Sequence, residues 1–90
     1  MSGPRFKRRA GVETRLLDGA AVLVLPESHL YFALNRVGVR IWDLLAEPQS
    51  LEMLAAALAA QFDVTETQCR QEAERFVHQL AAQDLVLRLP

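Results

Sequence analysis

The sequence predicts an α+β domain of winged-helix type, in which a three-stranded antiparallel sheet is followed by three helices. Two observations predict this class. Apolar residues recur at strand spacing before residue 35 and at helical spacing after it. Residues typical of turns and helix caps separate the segments. A chain of 90 residues supports one small core, so we expect a single domain over residues 12–90.

Three strands are predicted before residue 35. Val12 to Leu17 is compatible with a strand, and Asp18-Gly19 after it is a strong hairpin signal, because glycine takes positive φ at little cost. Ala21 to Leu25 is the second strand, and Pro26 ends it because proline cannot donate into a ladder. His29 to Leu34 is the third strand, with a large apolar side chain at every second position.

Three helices are predicted next, each by a residue that can cap the first turn with a side-chain oxygen. Asn35 caps a helix that runs to about Ala46, Ser50 caps a second through Phe62, and Thr65 caps a third to about Gln83. Their apolar stripes are Val37, Ile41, Leu44 and Leu45 with Trp42 beside them; Leu51, Leu54, Leu58 and Phe62; and Cys69, Ala73, Phe76, Val77 and Leu80. The last segment, Val86 to Leu89, is predicted as a terminal strand or an extended tail.

Charge is divided unevenly along the chain. The net charge is −1, but residues 1–40 carry seven Lys/Arg against three Asp/Glu, and residues 41–90 carry three against eight. Four of the cations fall within residues 1–11, where glycine and proline also occur, so we expect a flexible basic tail that solubilises the chain. The overall balance argues against a nucleic-acid partner and against binding to an anionic membrane.

The sequence shows no constellation of catalytic residues. His29 and His78 lie on separate elements, no glycine-rich phosphate loop occurs, and no spacing matches a metal site. The single cysteine, Cys69, falls on an apolar helix stripe, where a small buried hydrophobe is the expected role. We therefore expect a protein that is not an enzyme and needs no cofactor. One cysteine and no apolar stretch of signal-peptide or membrane-spanning length favour a cytoplasmic location.

The edge of the third strand is the most informative feature. His29 to Leu34 carries no formal charge, proline or glycine, whereas the first strand is protected by Glu13 and Arg15. An uncharged edge left open invites pairing with another backbone. Three outcomes stay open: the edge is covered by Val86 to Leu89, it pairs with a second copy, or it receives an extended peptide as an added strand.

A run across the third strand and first helix resembles the signature of the PqqD family. The run is Tyr31-Phe32-Ala33-Leu34-Asn35-Arg36-Val37-Gly38-Val39-Arg40-Ile41-Trp42-Asp43-Leu44-Leu45. An alanine-rich second helix that closes with Phe62-Asp63-Val64, and the segment from Leu80 to Leu85, continue the resemblance over about residues 12–87. The pattern Tyr-Phe-x-Leu-Asn and Ile-Trp-x-Leu-Leu is nearer the broader family and its lasso-peptide B1 relatives than the members devoted to pyrroloquinoline quinone.

The resemblance implies a peptide-recognition domain, also called a RiPP recognition element. In this family the leader of a ribosomally made precursor peptide adds as a strand to the third strand and is gripped by the third helix. Carried onto this chain, the predicted binding residues are Leu30, Tyr31, Phe32, Ala33 and Leu34 on the strand and Cys69, Arg70, Glu72, Ala73 and Phe76 on the helix. For Phe32, Leu34, Ala73 and Phe76, burial in the core is the competing expectation. Tyr31 is the strongest candidate, because its amphipathic ring suits the rim of a groove.

The resemblance also implies partners. The expected ones are the precursor leader and a modifying enzyme, either a radical SAM enzyme or a leader protease or cyclase. Two other functions are kept as alternatives. A homodimerisation module would join two copies through the third strand. A winged-helix DNA-binding protein would use the third helix, but Glu66 to Asp84 carries a balance of −2, which is unfavourable beside phosphates.

Overall fold

The computed structural model describes residues 3–17, 20–25 and 30–89, and its elements alternate between two small sheets and three helices. In chain order they are β1 (Arg5–Arg8), β2 (Glu13–Leu17), β3 (Ala20–Leu25), β4 (Leu30–Leu34), α1 (Arg36–Leu44), β5 (Gln49–Ser50), α2 (Leu51–Gln61), α3 (Glu66–Ala82) and β6 (Val86–Leu89). The predicted α+β class, with antiparallel strands followed by three helices, is confirmed. The Asp18-Gly19 turn, Pro26 and His29 lie outside the described residues.

The predicted meander is one of two three-stranded antiparallel sheets, with the order β2-β3-β4. Its register aligns Leu17 with Ala20 across the first pair of strands and Leu25 with Leu30 across the second. Opposite residues on antiparallel strands share a face, so Leu23 and Phe32 lie on the side of the helices. β2 and β4 are therefore the two edges of this sheet.

The second sheet, with the order β5-β1-β6, is where the sequence-based expectation is wrong. Residues 1–11 were expected to form a flexible tail, yet Arg5–Arg8 forms β1, which pairs with both β5 and β6, and Phe6 is buried in the core. One apolar side chain among cations gives no periodic signal, and the strand is held by partners from the far end of the chain. Arg8 adds a cation–π contact with Trp42, at 5.6 Å from the ring centroid.

The three predicted caps are all present. The side chains of Asn35, Ser50 and Thr65 accept hydrogen bonds from backbone N–H groups three residues later, which start α1, α2 and α3. α3 ends in a Schellman-type turn, in which Asp84 has a φ of 58° and the N–H of Leu85 donates to the carbonyl of Leu80 at 2.9 Å. This turn directs the chain into β6.

A single core joins both sheets to the helices. Its buried members are contributed by seven elements and the connections between them: Phe6, Ala21, Leu23, Leu25, Leu34, Ile41, Trp42, Leu45, Leu54, Ala55, Leu58, Cys69, Ala73, Val77, Leu80, Leu85 and Val86. Most of the apolar stripe residues predicted from helical spacing are among them, with Val37, Leu44, Leu51, Phe62 and Phe76 packed at the margin. The core fixes α1 and α3 against the face of the β2-β3-β4 sheet, so that parts of both helices lie beside β4.

Candidate functional site

The outer edge of β4 is open in the described part of the chain. β4 pairs with β3 on one side, while β6 pairs with β1 in the other sheet. The first outcome left open from sequence, coverage of this edge by Val86 to Leu89, is therefore wrong. β1 pairs with the C-terminal segment as β6. β4 therefore keeps a row of backbone N–H and C=O groups that can pair with another strand.

A cleft of about 640 Å³ lies beside this edge. Its walls come from β4, from the start of α1 and from the middle of α3: Phe32, Ala33, Asn35, Val37, Gly38, Ile41, Glu72, Arg75, Phe76 and Gln79. The strand edge and the helix wall thus face a common space, which is wide enough for the side chains of an extended peptide.

Aromatic rings line the inner part of the cleft. Phe32 from β4 and Phe76 from α3 are both half-buried, and their ring centroids are 5.8 Å apart with the planes at 70°. This edge-to-face contact stabilises the pair beyond its buried area. Gly38 on α1 lies directly against the ring of Phe76, since a Cβ at this glycine would be 3.2 Å from Cζ of that ring. The absent side chain at Gly38 therefore sets how closely α1 approaches the aromatic pair.

Charged groups on α3 form the outer lip of the cleft. The guanidinium of Arg75 donates to both carboxylate oxygens of Glu72, at 2.8 Å and 2.6 Å. Both side chains are more than half exposed, so the pair contributes little to stability. Its position one turn from Phe76 and Gln79 leaves both charges available to a polar group of a ligand.

Five of the predicted site residues are not part of the cleft lining. Leu34, Cys69 and Ala73 are buried in the core, as was the competing expectation for Leu34 and Ala73. Arg70 points to α2, where it donates to Glu52; this hydrogen bond lowers the pKa of the Glu52 carboxyl and raises the pKa of Arg70. Tyr31 is 65% exposed on the opposite face of β4.

The other five predicted residues are four that line the cleft and Leu30. Phe32, Ala33, Glu72 and Phe76 do line the cleft. The backbone of Leu30 lies in β4 opposite Leu25, but its side chain lies outside the described part of the chain. Four of the ten predicted residues thus line the cleft, two on β4 and two on α3.

Six lining residues were not predicted: Asn35, Val37, Gly38, Ile41, Arg75 and Gln79. The α3 residues could have been found, because positions 72, 76 and 79 follow one helical face at i, i+4 and i+7. The α1 residues could not, since nothing in the local sequence shows that the first turn of α1 faces α3. Asn35 and Gly38 also form the N-terminal cap of α1, in which the Gly38 N–H donates to Asn35 Oδ1 at 2.8 Å. The sequence signal at these two positions is that of a helix cap.

Comparison with known proteins identifies the family. Residues 20–86 match the sequence model described as "Coenzyme PQQ synthesis protein D (PqqD)". The chain belongs to the PqqD family. A search of curated protein sequences finds no significant match to the chain.

Two solved structures have the same fold as this PqqD-family chain. The one described as "TbiB1 in Complex with the TbiA(beta) Leader Peptide" is 30% identical, with a TM-score of 0.75, and the alignment covers 89% of this chain and 93% of that one. "Lasso peptide synthetase B1 complexed with the leader peptide" is 23% identical, with a TM-score of 0.77 over 91% and 96% of the two chains. The second likeness establishes the fold, and the first also supports membership of the family.

Two further observations on the described residues concern metal ions and membranes. No three His, Cys, Asp or Glu side chains within residues 3–17, 20–25 and 30–89 are grouped as a metal ion would require. Within the same ranges, none of the helices combines the length and the apolar character needed to cross a bilayer.

Proposed function

We propose that this protein binds the leader segment of a ribosomally synthesised precursor peptide by strand addition and presents it to a modifying enzyme. The observation that carries the proposal is the open edge of β4 beside a cleft of about 640 Å³ that α3 closes from the other side. A strand edge supplies backbone hydrogen bonds, and the adjacent cleft accepts side chains that determine selectivity.

Membership of the PqqD family supports the proposal, as does the likeness to TbiB1, which was solved with a leader peptide. A peptide strand lying along β4 would place every second side chain toward Phe32 and Phe76 and the others toward the exposed face that carries Tyr31. Neither alternative, a homodimerisation module or a winged-helix DNA-binding protein, receives support from the comparisons.

In this proposal the protein acts as a carrier of the precursor and catalyses no reaction itself. We place it in the cytoplasm, where the buried free thiol of Cys69 would stay reduced. The enzyme that receives the precursor would be a radical SAM enzyme or a leader protease or cyclase. An affinity of about 10⁻⁶ to 10⁻⁷ M, or roughly −8 to −9.5 kcal/mol, would suit a peptide that must be handed on.

A cleft-filling variant tests the proposal. Gln79 and Gln71 are both exposed on α3, but Gln79 lines the cleft and Gln71 does not. Gln79→Trp should fill the cleft and weaken leader binding by about tenfold or more, whereas Gln71→Trp should leave it unchanged. Isothermal titration with leader peptides from short precursor reading frames beside this gene, and with the TbiA(beta) leader as a reference, measures the difference.

Thermal unfolding of the two tryptophan variants serves as the control for folding. Both substitutions replace an exposed side chain, so their melting temperatures should agree with that of the wild type. The proposal fails if none of the leaders binds the wild type, or if Gln79→Trp binds as tightly as Gln71→Trp.

A further inference from the structure

A second concave surface lies on the helix side of the β2-β3-β4 sheet, on the far side of α1 from the cleft. This Leu16 hollow has a volume of about 400 Å³ and is lined by Leu16, Ala21, Leu34, Asn35, Arg36, Val39, Gln61 and Phe62. Leu16 on β2 is 82% exposed, although its position in the register places it on the same face as the buried Ala21. β2 thus extends an apolar side chain beyond the part of the sheet that the helices cover.

The hollow combines an apolar floor with one cation. Arg36 lies over the ring of Phe62, at 5.7 Å from the centroid, and is exposed. No carboxylate is among the lining residues, so the surface carries a single positive charge beside leucine, valine and phenylalanine side chains. The complementary ligand is an apolar side chain with a carboxylate close to it.

The shape and charge favour a protein segment over the other occupants. A second copy bound about a two-fold axis would bring the same patch against itself and place Arg36 near its own counterpart, which is unfavourable. A lipid surface is flat, whereas a hollow accepts a protruding side chain. Asn35 lines both the hollow and the cleft, so an occupant of the hollow would lie next to a leader bound along β4.

We propose that the Leu16 hollow docks an apolar segment bearing a carboxylate, presented by the protein that processes the bound precursor. The proposal rests on the leader-binding function and adds to it a second, separate surface. In this arrangement the leader occupies the β4 edge while the processing enzyme holds α1 and β2 from the other side. The enzyme therefore recognises the carrier itself and reaches the precursor through it.

The test uses two designed helical peptides of about 18 residues that share a Leu/Phe stripe. One peptide has glutamates beside the stripe and the other has lysines. The glutamate peptide should bind the full chain more tightly, and the ¹⁵N-HSQC shifts should map to Leu16, Val39 and Phe62. Leu16→Ser should weaken its binding by about tenfold, and Arg36→Glu should reverse the preference between the two peptides.

Leu87→Ser is the matched control, because Leu87 is 51% exposed on the other sheet. It should leave peptide binding unchanged. The proposal is overturned if neither peptide binds at about 1 mM, if both bind equally, or if the shifts map elsewhere. Leu16-dependent dimerisation on a sizing column, or Leu16-dependent sedimentation with vesicles rich in phosphatidylglycerol, would also overturn it and assign the hollow to a second copy or a lipid surface.

A leader titration on Leu16→Ser separates this proposal from the proposed function. Leader binding should be retained in that variant, since Leu16 does not line the cleft. Retained leader binding without docking of the glutamate peptide would refute only the docking surface. Absence of leader binding in the wild type with docking intact would refute the leader-binding function and leave the docking surface without the processing enzyme as its occupant.

Discussion

At the scale of single residues, Gly38 determines how closely α1 approaches the aromatic side of the cleft. It lies inside α1, where alanine would favour the helix by about 1 kcal/mol. An added Cβ would meet Cζ of Phe76 at 3.2 Å and Oδ1 of Asn35 at 3.4 Å. The ring of Phe76 is half-buried and borders the cleft, so we expect it to move toward the cleft to make room.

Gly38→Ala should therefore separate stability from binding. We expect the free energy of unfolding to change by less than about 1 kcal/mol, because the gain in helix propensity offsets the crowding. Leader affinity should fall by about threefold to tenfold as the ring of Phe76 narrows the cleft. Titration calorimetry and thermal unfolding measure both quantities.

Gly3→Ala is the control, since a Cβ there meets nothing within 4 Å. It should change neither quantity. A Gly38→Ala protein that binds leader as tightly as Gly3→Ala would show that the approach of α1 does not set the depth of the cleft.

At the scale of elements, the β2-β3-β4 sheet offers two edges of different character. β2 carries Glu13 and Arg15, which form an ion pair at 3.2 Å, whereas Tyr31–Leu34 on β4 carries no charge. Charged side chains on an edge strand oppose pairing with another chain. Charge thus disfavours strand addition at β2, and the uncharged edge of β4 is the more favourable place for a leader strand to add.

Hydrogen exchange should show this difference directly. Along an antiparallel strand the N–H groups alternate between the neighbouring strand and the outside. In the free protein one alternate set of β4 amides should exchange slowly and the other fast, and leader binding should slow the fast set by at least about tenfold. The outward amides of β2 are the internal control and should not change. Strand addition to β4 would be contradicted if leader binding slowed the exchange of the outward amides on both β2 and β4 equally, or on neither strand.

The sequence was informative where the signal is local and silent where it is not. Asn35, Ser50 and Thr65 predicted the starts of all three helices because a cap is a contact within one turn. β1 was missed because it is defined by pairing with β5 and β6, which are distant in the chain. The family resemblance predicted a site on β4 and α3, and residues of both elements line the cleft, but the α1 wall depends on how three elements pack together.

At the scale of the whole molecule, the two sheets have separate tasks. The β5-β1-β6 sheet joins the two ends of the described chain and buries Phe6 and Val86 in the core. Two backbone hydrogen bonds anchor β1 further: the N–H of Arg8 donates to the carbonyl of Leu45 at 2.8 Å, and the N–H of Arg9, the residue after the strand, donates to the carbonyl of Leu85 at 2.9 Å. By engaging β6, this sheet also keeps the C-terminal segment away from β4. The other sheet is thereby left with a free edge.

Phe6→Ala tests this division of tasks. Removing a buried phenylalanine should cost about 3 kcal/mol of unfolding free energy and lower the melting temperature by roughly 10 °C or more. Because Phe6 lies in the other sheet and does not line the cleft, leader affinity measured well below the transition should match the wild type. Lys7→Ala, at an exposed position of the same strand, should alter neither quantity. A Phe6→Ala protein that stays folded but binds leader less tightly would show that the two sheets do not have separate tasks.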